Sequence, residues 1–235
     1  MKLIVVDTET SALPEQGGQI LELAWISLWH GNQGWEPISC YETYVQYSGP
    51  IDPRAQASHH IRADQLTAER GAVTREQAVR QFLTEVQPDS FVVAHNSDFD
   101  SKFLPEVQAP WICTYRVSKH IWPEAPGHSN QVLRYWLGVK PDLSMASTIK
   151  SRQPHQALYD VATTAGILIK MLERYSPSEL YTITQGPNKL RNIGFGKHKG
   201  MKFEDIPRDY LAWLRGQSEL DPDLKFTLDS ILHGQ

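Results

Sequence analysis

The sequence predicts an α/β protein: a mixed five-stranded sheet flanked by helices, with a small C-terminal α+β module. Three observations predict it. Strand-like runs come first and strand–helix alternation follows, which is the pattern of a mixed sheet. The strongest helical stripe lies late, where Ala157, Val161, Ala165, Leu168 and Leu172 share one face of Gln156 to Tyr175. Beyond it a polar, turn-rich stretch, Ser176 to Pro187, reads as a linker to a short basic unit. The expected domains are therefore residues 1–178 and 188–235.

In chain order, Leu3-Ile4-Val5-Val6 is a short buried strand that runs into Asp7-Thr8-Glu9-Thr10. Ser11 to Gly18, with Pro14 and two glycines, is a turn. Ile20 to Trp29 is a second strand, Gly31 to Gly34 a hairpin connection, and Tyr41 to Tyr47 a third strand that alternates aromatic and β-branched residues. Pro50 to Pro53 opens a loop before a short helix at Ala55 to Ile61. Arg75 to Val86 repeats apolar residues at helical spacing and stops at Pro88. Phe91 to Ala94 is a fourth strand, Ser97 to Leu104 a helix closed before Pro105, and Trp111 to Thr114 a fifth strand. Helical patches follow at Arg116 to Ile121 and Gln131 to Leu137. In the C-terminal unit two short strands are expected around Lys197 to Gly200, then helices at Arg208 to Arg215 and Asp223 to Leu232.

Composition excludes several classes. The chain has 235 residues, 40% hydrophobic and 21% charged, the balance of a globular protein. A net charge of −4 gives no overall basic footprint, so any nucleic-acid contact must come from a local patch. Two cysteines exclude a disulfide framework and a Cys-rich zinc module. The start is too short for a signal peptide, and no apolar run is long enough to span a bilayer. A cytoplasmic protein with no membrane association is expected.

Chemistry gathers at three places. Side chains alternate along a strand, so Asp7 and Glu9 leave it on the same side. Two anions so placed repel unless a cation sits between them, which suggests a site for a hard divalent metal. After the fourth strand, His95-Asn96-Ser97-Asp98-Phe99-Asp100 starts a helix, and both Asp98 and Asp100 fall in or near its first turn, where the helix dipole already favours an acid. At the long helix, Asp160 lies beside the apolar stripe, and a carboxylate near a buried face asks for a partner. Five residues of regular helix set His155 and Asp160 about 140° apart. Both serve one site only if His155 sits on the segment entering the helix. The His-x4-Asp spacing also occurs at His59 with Asp64 and His95 with Asp100, so spacing alone selects none.

Taken in order, Asp7-Thr8-Glu9-Thr10, Val93-Ala94-His95-Asn96 with Phe99-Asp100, and His155-Gln156-Ala157 with Asp160 resemble the motifs of the DEDD superfamily of 3′→5′ exonucleases, in its DEDDh subgroup with a histidine in the third motif. The resemblance implies the ribonuclease H-like fold that this family shares with DNA polymerase proofreading subunits. It implies Asp7, Glu9, Asp100 and Asp160 as metal carboxylates, with Asp98 a bystander, and His155 as general base. It further implies two Mg²⁺ ions, with Mn²⁺ expected to substitute, and hydrolysis of DNA 3′ ends to nucleoside 5′-monophosphates. The chemistry suits the residue types: two such ions stabilise both ends of an in-line displacement, and an imidazole near its ordinary pKa of about 6.5 takes a proton from water. An RNA exonuclease of the same fold, or a polymerase-associated proofreading or DNA-binding module, is the alternative. A homodimer is left open.

The same likeness extends to substrate contacts. Thr10 and Asn96 fall within its motifs. Leu13 either wedges against the terminal base or packs under its turn, and His59 either lines the nucleotide pocket or serves as a capping or surface residue. From Thr184 to Phe203 there are five basic residues and no acid, with two Phe and four Gly interleaved. Lys197, Lys199 and Lys202 there are candidates for nucleic-acid backbone contact. Phe195-Gly196-Lys197-x-Lys199-Gly200, Asp205-Ile206-Pro207 and Tyr210-Leu211-x-Trp213-Leu214 are similar to a C-terminal module of one branch of the family and to small stand-alone bacterial and phage proteins. The Gly194-to-Lys197 segment fails the Walker pattern at Arg191 and His198, so it is no triphosphate loop.

Overall fold

The strand Lys2–Thr10 (β1) is apolar on both faces from Leu3 to Val6, which suits it to the middle of a sheet covered on both sides. In the computed structural model, which describes residues 1–144 and 153–234, β1 is the central strand. Ile20–Gly31 (β2) pairs with it antiparallel, and Gly34–Tyr44 (β3) pairs antiparallel with β2. On the other side Phe91–Ala94 (β4) and Trp111–Cys113 (β5) run parallel to β1, giving the order β3-β2-β1-β4-β5. The mixed five-stranded sheet and the antiparallel meander are as expected.

The third strand starts seven residues earlier than the aromatic alternation suggested. Gly31 pairs with Gly34 across a two-residue turn, so the hairpin closes at once and carries Trp35 to Ser39 into the sheet. A bulge between Ser27 and Leu28 sets Pro37 opposite Leu28, and Pro37 is tolerated because β3 is an edge strand.

The helices are Pro53–His59 (α1), Arg75–Leu83 (α2), Ser97–Phe103 (α3), Thr114–Ile121 (α4), Asn130–Trp136 (α5) and Ala157–Leu172 (α6). One face of the sheet, with Leu3, Val5, Ala24 and Ile26, buries Ala157, Val161 and Leu168 of α6. The other face, with Ile4, Val6 and Trp25, packs on Val79 and Phe82 of α2 and Phe103 of α3. Side-chain alternation on β1 thus sends successive residues to different helices.

The expected linker is a helix, Pro177–Gln185 (α7). Ser176 and Glu179 form a capping box, Pro177 fills the first turn, and Leu180 is wholly buried. Its polarity was misleading because few of its positions face inward. The Thr184 hydroxyl oxygen accepts the Cys113 backbone N–H at 3.0 Å, tying α7 to β5.

Arg208–Arg215 (α8) and Pro222–His233 (α9) enclose a separate small core of Ile193, Phe203, Ile206, Leu211, Leu214, Leu224 and Leu228. The two strands expected around Lys197 reduce to one bridge, Asn192 with Lys202, because the intervening loop is held by its own turn bonds. Among the described residues, no helix is long and apolar enough to cross a membrane.

Candidate active site

β1 pairs with β4 only from Leu3 to Val5, so its last residues project past the C-terminal end of its parallel neighbour. Crevices at that edge are where open α/β sheets bind ligands. Asp7 and Glu9 stand there on the face that α6 covers, and Asp160, in the first turn of α6, meets them. One oxygen each from Asp7, Glu9 and Asp160 lies within 4.8 Å of the others.

Asp100 approaches from the opposite face, outside that 4.8 Å group but near enough for its charge to act on Asp7 and Glu9. Thr8, between the two acids, donates its backbone N–H (3.1 Å) and its hydroxyl (2.8 Å) to Asp100 Oδ1. Burial separates what periodicity left open: Asp100 is 3% exposed, while Asp98 faces solvent. Asn96 starts α3 at φ 82°, its side chain exposed and not capping the helix.

His155 lies on the entering segment, ahead of the α6 N-cap Gln156, as its use with Asp160 requires. At φ 63° it turns the chain so that its backbone N–H donates to Asp160 Oδ2 at 2.8 Å, leaving the ring exposed. Gln131 of α5 donates to Asp160 Oδ1 at 3.1 Å, which clamps the carboxylate from both sides. The competing His95 is committed elsewhere. Its nitrogens bond Thr114 Oγ1 (3.0 Å) and the His128 carbonyl (2.9 Å), and burial lowers its pKa to about 4.

The cluster is electrostatically frustrated. Burial, and then the charges of Asp100, Glu9, Asp160 and Glu22, push Asp7 well above the carboxylate range. Burial and the neighbouring Glu22, Asp160 and Asp100 push Glu9 up to about 9. Burial raises Asp100 to about 7 against the opposing Thr8 bonds, and also raises Asp160. Among the described residues, the ion pairs formed by lysine, arginine and the N-terminus go to other carboxylates. Hard oxygen donors, crowded and lacking a cation, fit a divalent metal ion.

This predicts a pH dependence. Carboxylates raised in the folded state bind more protons there than in the unfolded chain, so they favour folding at low pH and lose that contribution as pH rises. For Glu9 the window runs from 4.5 to about 9. The Tm of metal-free protein in EDTA should fall across that range, and the rise in Tm on adding Mg²⁺ should be larger at pH 8 than at pH 5. An increment independent of pH would contradict a metal held by these acids.

Beside the cluster, a cavity of about 350 Å³ is lined by Glu9, Thr10, Leu13, Asp52, His59 and Phe99, among others. Leu13 is 51% exposed, which disfavours packing under the turn. His59 is buried, contrary to a surface role. Its Nδ1 accepts the Ile61 N–H at 2.9 Å, and its buried Nε2 has no hydrogen-bond partner among the described residues. Thr10 is buried, its hydroxyl on the Ala12 carbonyl. Asn96 does not line this cavity, and Lys197, Lys199 and Lys202 lie exposed on the C-terminal loop.

Sequence reasoning missed Glu22, although a glutamate inside Ile20-Leu21-Glu22-Leu23-Ala24 was a signal. It lies opposite Glu9 across β1 and β2, is fully buried, and accepts the Ala157 N–H on Oε2 at 3.1 Å. It thereby anchors the first turn of α6, which carries Asp160. Glu22→Ala should lower both metal affinity and kcat by about 10–100-fold, with Glu22→Gln milder because an acceptor remains. Metal titration by calorimetry, alongside kinetics, checks this; unchanged values for both variants would remove Glu22 from the site.

The fold and this site define a DEDDh-type 3′→5′ exonuclease, a hydrolase of nucleic acids. The exonuclease family model (RNase_T) matches residues 4–168, and the chain belongs to that family. It is 30% identical over 236 residues to Exodeoxyribonuclease 10 of Escherichia coli (strain K12), with 98% of each chain covered. Among solved structures it is similar to Exonuclease X in complex with 5′ overhanging duplex DNA, with a TM-score of 0.62 and 27% identity, covering 77% of this chain and 99% of that one. The nuclease domain of 3′hExo, a DEDDh family member bound to rAMP, shares the fold at a TM-score of 0.55 and 21% identity, covering 73% of this chain and 92% of that one.

Proposed function

We propose that the chain removes nucleotides from DNA 3′ ends in the cytoplasm, releasing nucleoside 5′-monophosphates, with two Mg²⁺ ions held by Asp7, Glu9, Asp100 and Asp160. Mn²⁺ is expected to substitute. The observation that carries this reading is the convergence of Asp7, Glu9 and Asp160 within 4.8 Å beside a cavity that has Leu13 at its mouth. Bound divalent ions supply the positive charge that offsets charge developing on the attacking and leaving oxygens. The chain does the rest. Thr10, Leu13 and His59, which line that cavity, position the terminal nucleotide, and the exposed ring of His155 accepts the proton of the attacking water. The 30% identical Exodeoxyribonuclease 10 supports DNA as substrate.

The test is a time course on 3′- and 5′-labelled single-stranded DNA, duplex DNA and RNA, with Mg²⁺ or with EDTA. Immediate, metal-dependent loss of the 3′ label from DNA is expected. Faster loss from RNA would move the substrate to RNA, because the 2′-OH contact that separates the two is a matter of pocket shape.

The C-terminal module, residues 188–235, is proposed to hold DNA backbone through Lys197, Lys199 and Lys202. A deletion that tests this has to begin after Pro187, since α7 is part of the nuclease core. The truncated chain should hydrolyse short oligonucleotides at the full-length rate and bind long DNA more weakly, with a shallower salt dependence. Equal affinity for long DNA would count against the role. The Arg116–Asp223 pair that joins the two parts is lost with the module, so the Tm of the truncated chain is measured alongside.

A further inference from the structure

α8 is amphipathic: Leu211 and Leu214 point into the small core, Tyr210 packs half-buried at its edge, and Trp213 stands on the outer side. Trp213 is 59% exposed although it belongs to the residue types that gain most from burial. Its ring centroid is 5.4 Å from that of Tyr210, and the His198 ring meets Tyr210 in an edge-on arrangement at 4.5 Å. A single face therefore carries a row of rings drawn from residues distant in sequence.

The loop that brings His198 there is shaped for close approach. Gly196 adopts φ 67°, and a Cβ on it would come within 3.0 Å of the Tyr210 hydroxyl, so the backbone lies against that side chain. The Lys199 N–H to Gly196 and Met201 N–H to His198 turns hold the loop closed, and Phe195 beside Gly196 is 47% exposed. Lys197, Lys199 and Lys202 project from the same loop, and none forms an ion pair among the described residues. The cations of α8 are committed: Arg208 donates to the Ile231 and Leu232 carbonyls, and Arg215 pairs with Asp229. Asp209 and Asp205 are the nearest acids in sequence to the aromatic row, and Asp209 accepts the Tyr210 N–H. The stretch from Thr184 to Phe203 nevertheless carries five cations and no acid in a chain of net charge −4.

We infer that this face is a stacking platform for the unpaired bases of single-stranded DNA. Trp213 and Phe195 take the base faces, with Tyr210 backing the Trp213 ring, and the three lysines take the phosphates. Exposed aromatic faces interleaved with unpaired lysines complement both halves of a single strand, and neither half of a duplex exposes base faces. The inference deepens the DNA-hydrolase reading by assigning the module a preference for unpaired strands.

The experiment uses the full-length chain in EDTA, so that no cleavage occurs. Fluorescence anisotropy measures affinity for a thymidine 20-mer, a blunt 20-base-pair duplex and a 20-mer of abasic deoxyribose phosphate. Trp213→Ala should weaken thymidine 20-mer binding by about fivefold to a hundredfold. It should leave duplex binding, far-ultraviolet circular dichroism and, in Mg²⁺, tetranucleotide hydrolysis unchanged. Trp213→Phe should restore much of the affinity. Lys197→Gln with Lys199→Gln should weaken all three ligands alike and flatten the salt dependence. Equal affinity of the wild-type chain for abasic and thymidine oligomers, or of Trp213→Ala and wild type for the thymidine 20-mer, would overturn the platform. Absence of tetranucleotide hydrolysis in the wild-type chain would instead sink the nuclease reading, and the anisotropy result would stand apart from it.

Discussion

Asp7→Asn should all but abolish hydrolysis while making the metal-free protein more stable. Asp7 touches every part of the cluster: Glu9 lies two residues on along β1, Asp160 is within 4.8 Å, and the charge of Asp100 acts strongly on it. Removing one preorganised charge from a site of developing charge lowers kcat by about 10²–10³-fold. The loss here should reach at least the upper end of that range, because an amide oxygen is a weak ligand for a hard cation. In EDTA the same change removes one of several crowded anions, so the Tm should rise. Single-turnover rates with Mg²⁺ and thermal melts with EDTA measure the two effects. A variant that retains activity would dissolve the metal site, and a Tm that falls would mean the cluster is not strained as its buried acids imply. Asp98→Asn, on the exposed neighbour, should change neither quantity.

His155→Asn should cost about 10²–10⁴-fold in rate, the usual worth of a positioned general base, while divalent-ion affinity holds. The geometry makes this separation available. The bond to Asp160 comes from the His155 backbone N–H, so replacing the side chain leaves that carboxylate anchored. Asparagine is preferred to alanine because the residue sits at φ 63°, a conformation asparagine tolerates better than other residues with a Cβ. Single-turnover rates with Mg²⁺ and metal titration by calorimetry measure the two quantities. A variant that keeps the wild-type rate would take the ring out of the chemistry. Loss of metal binding in the variant would point to a structural role instead.

The pattern of elements was readable because it is written in local rules. The unbroken apolar run from Leu3 to Val6 marked the first strand, and the stripe from Ala157 to Leu172 marked the long helix. Local polarity failed at α7, where a few residues, Leu180 and Thr184 among them, supply its buried contacts to the nuclease core. It failed again at β3, where closure of the Gly31–Gly34 hairpin, not aromatic alternation, set the first residue. The loop at Lys197 was read as paired strands, but turn bonds within the loop leave a single bridge.

By itself the sequence determined which residue types could carry the chemistry and their order: Asp7 and Glu9 on one strand face, an acid opening α3, and His155 with Asp160 at the start of α6. Spacing rules reach only one turn or a few strand positions, so they left Asp98 and Asp100 equivalent and made Glu22 look like one polar residue in an apolar run. Tertiary structure decided between them. Thr8 draws Asp100 inward while Asp98 stays in water, and the antiparallel register sets Glu22 against Glu9 beneath the first turn of α6. Burial and charge proximity depend on which elements pack together, and that depends on the whole chain.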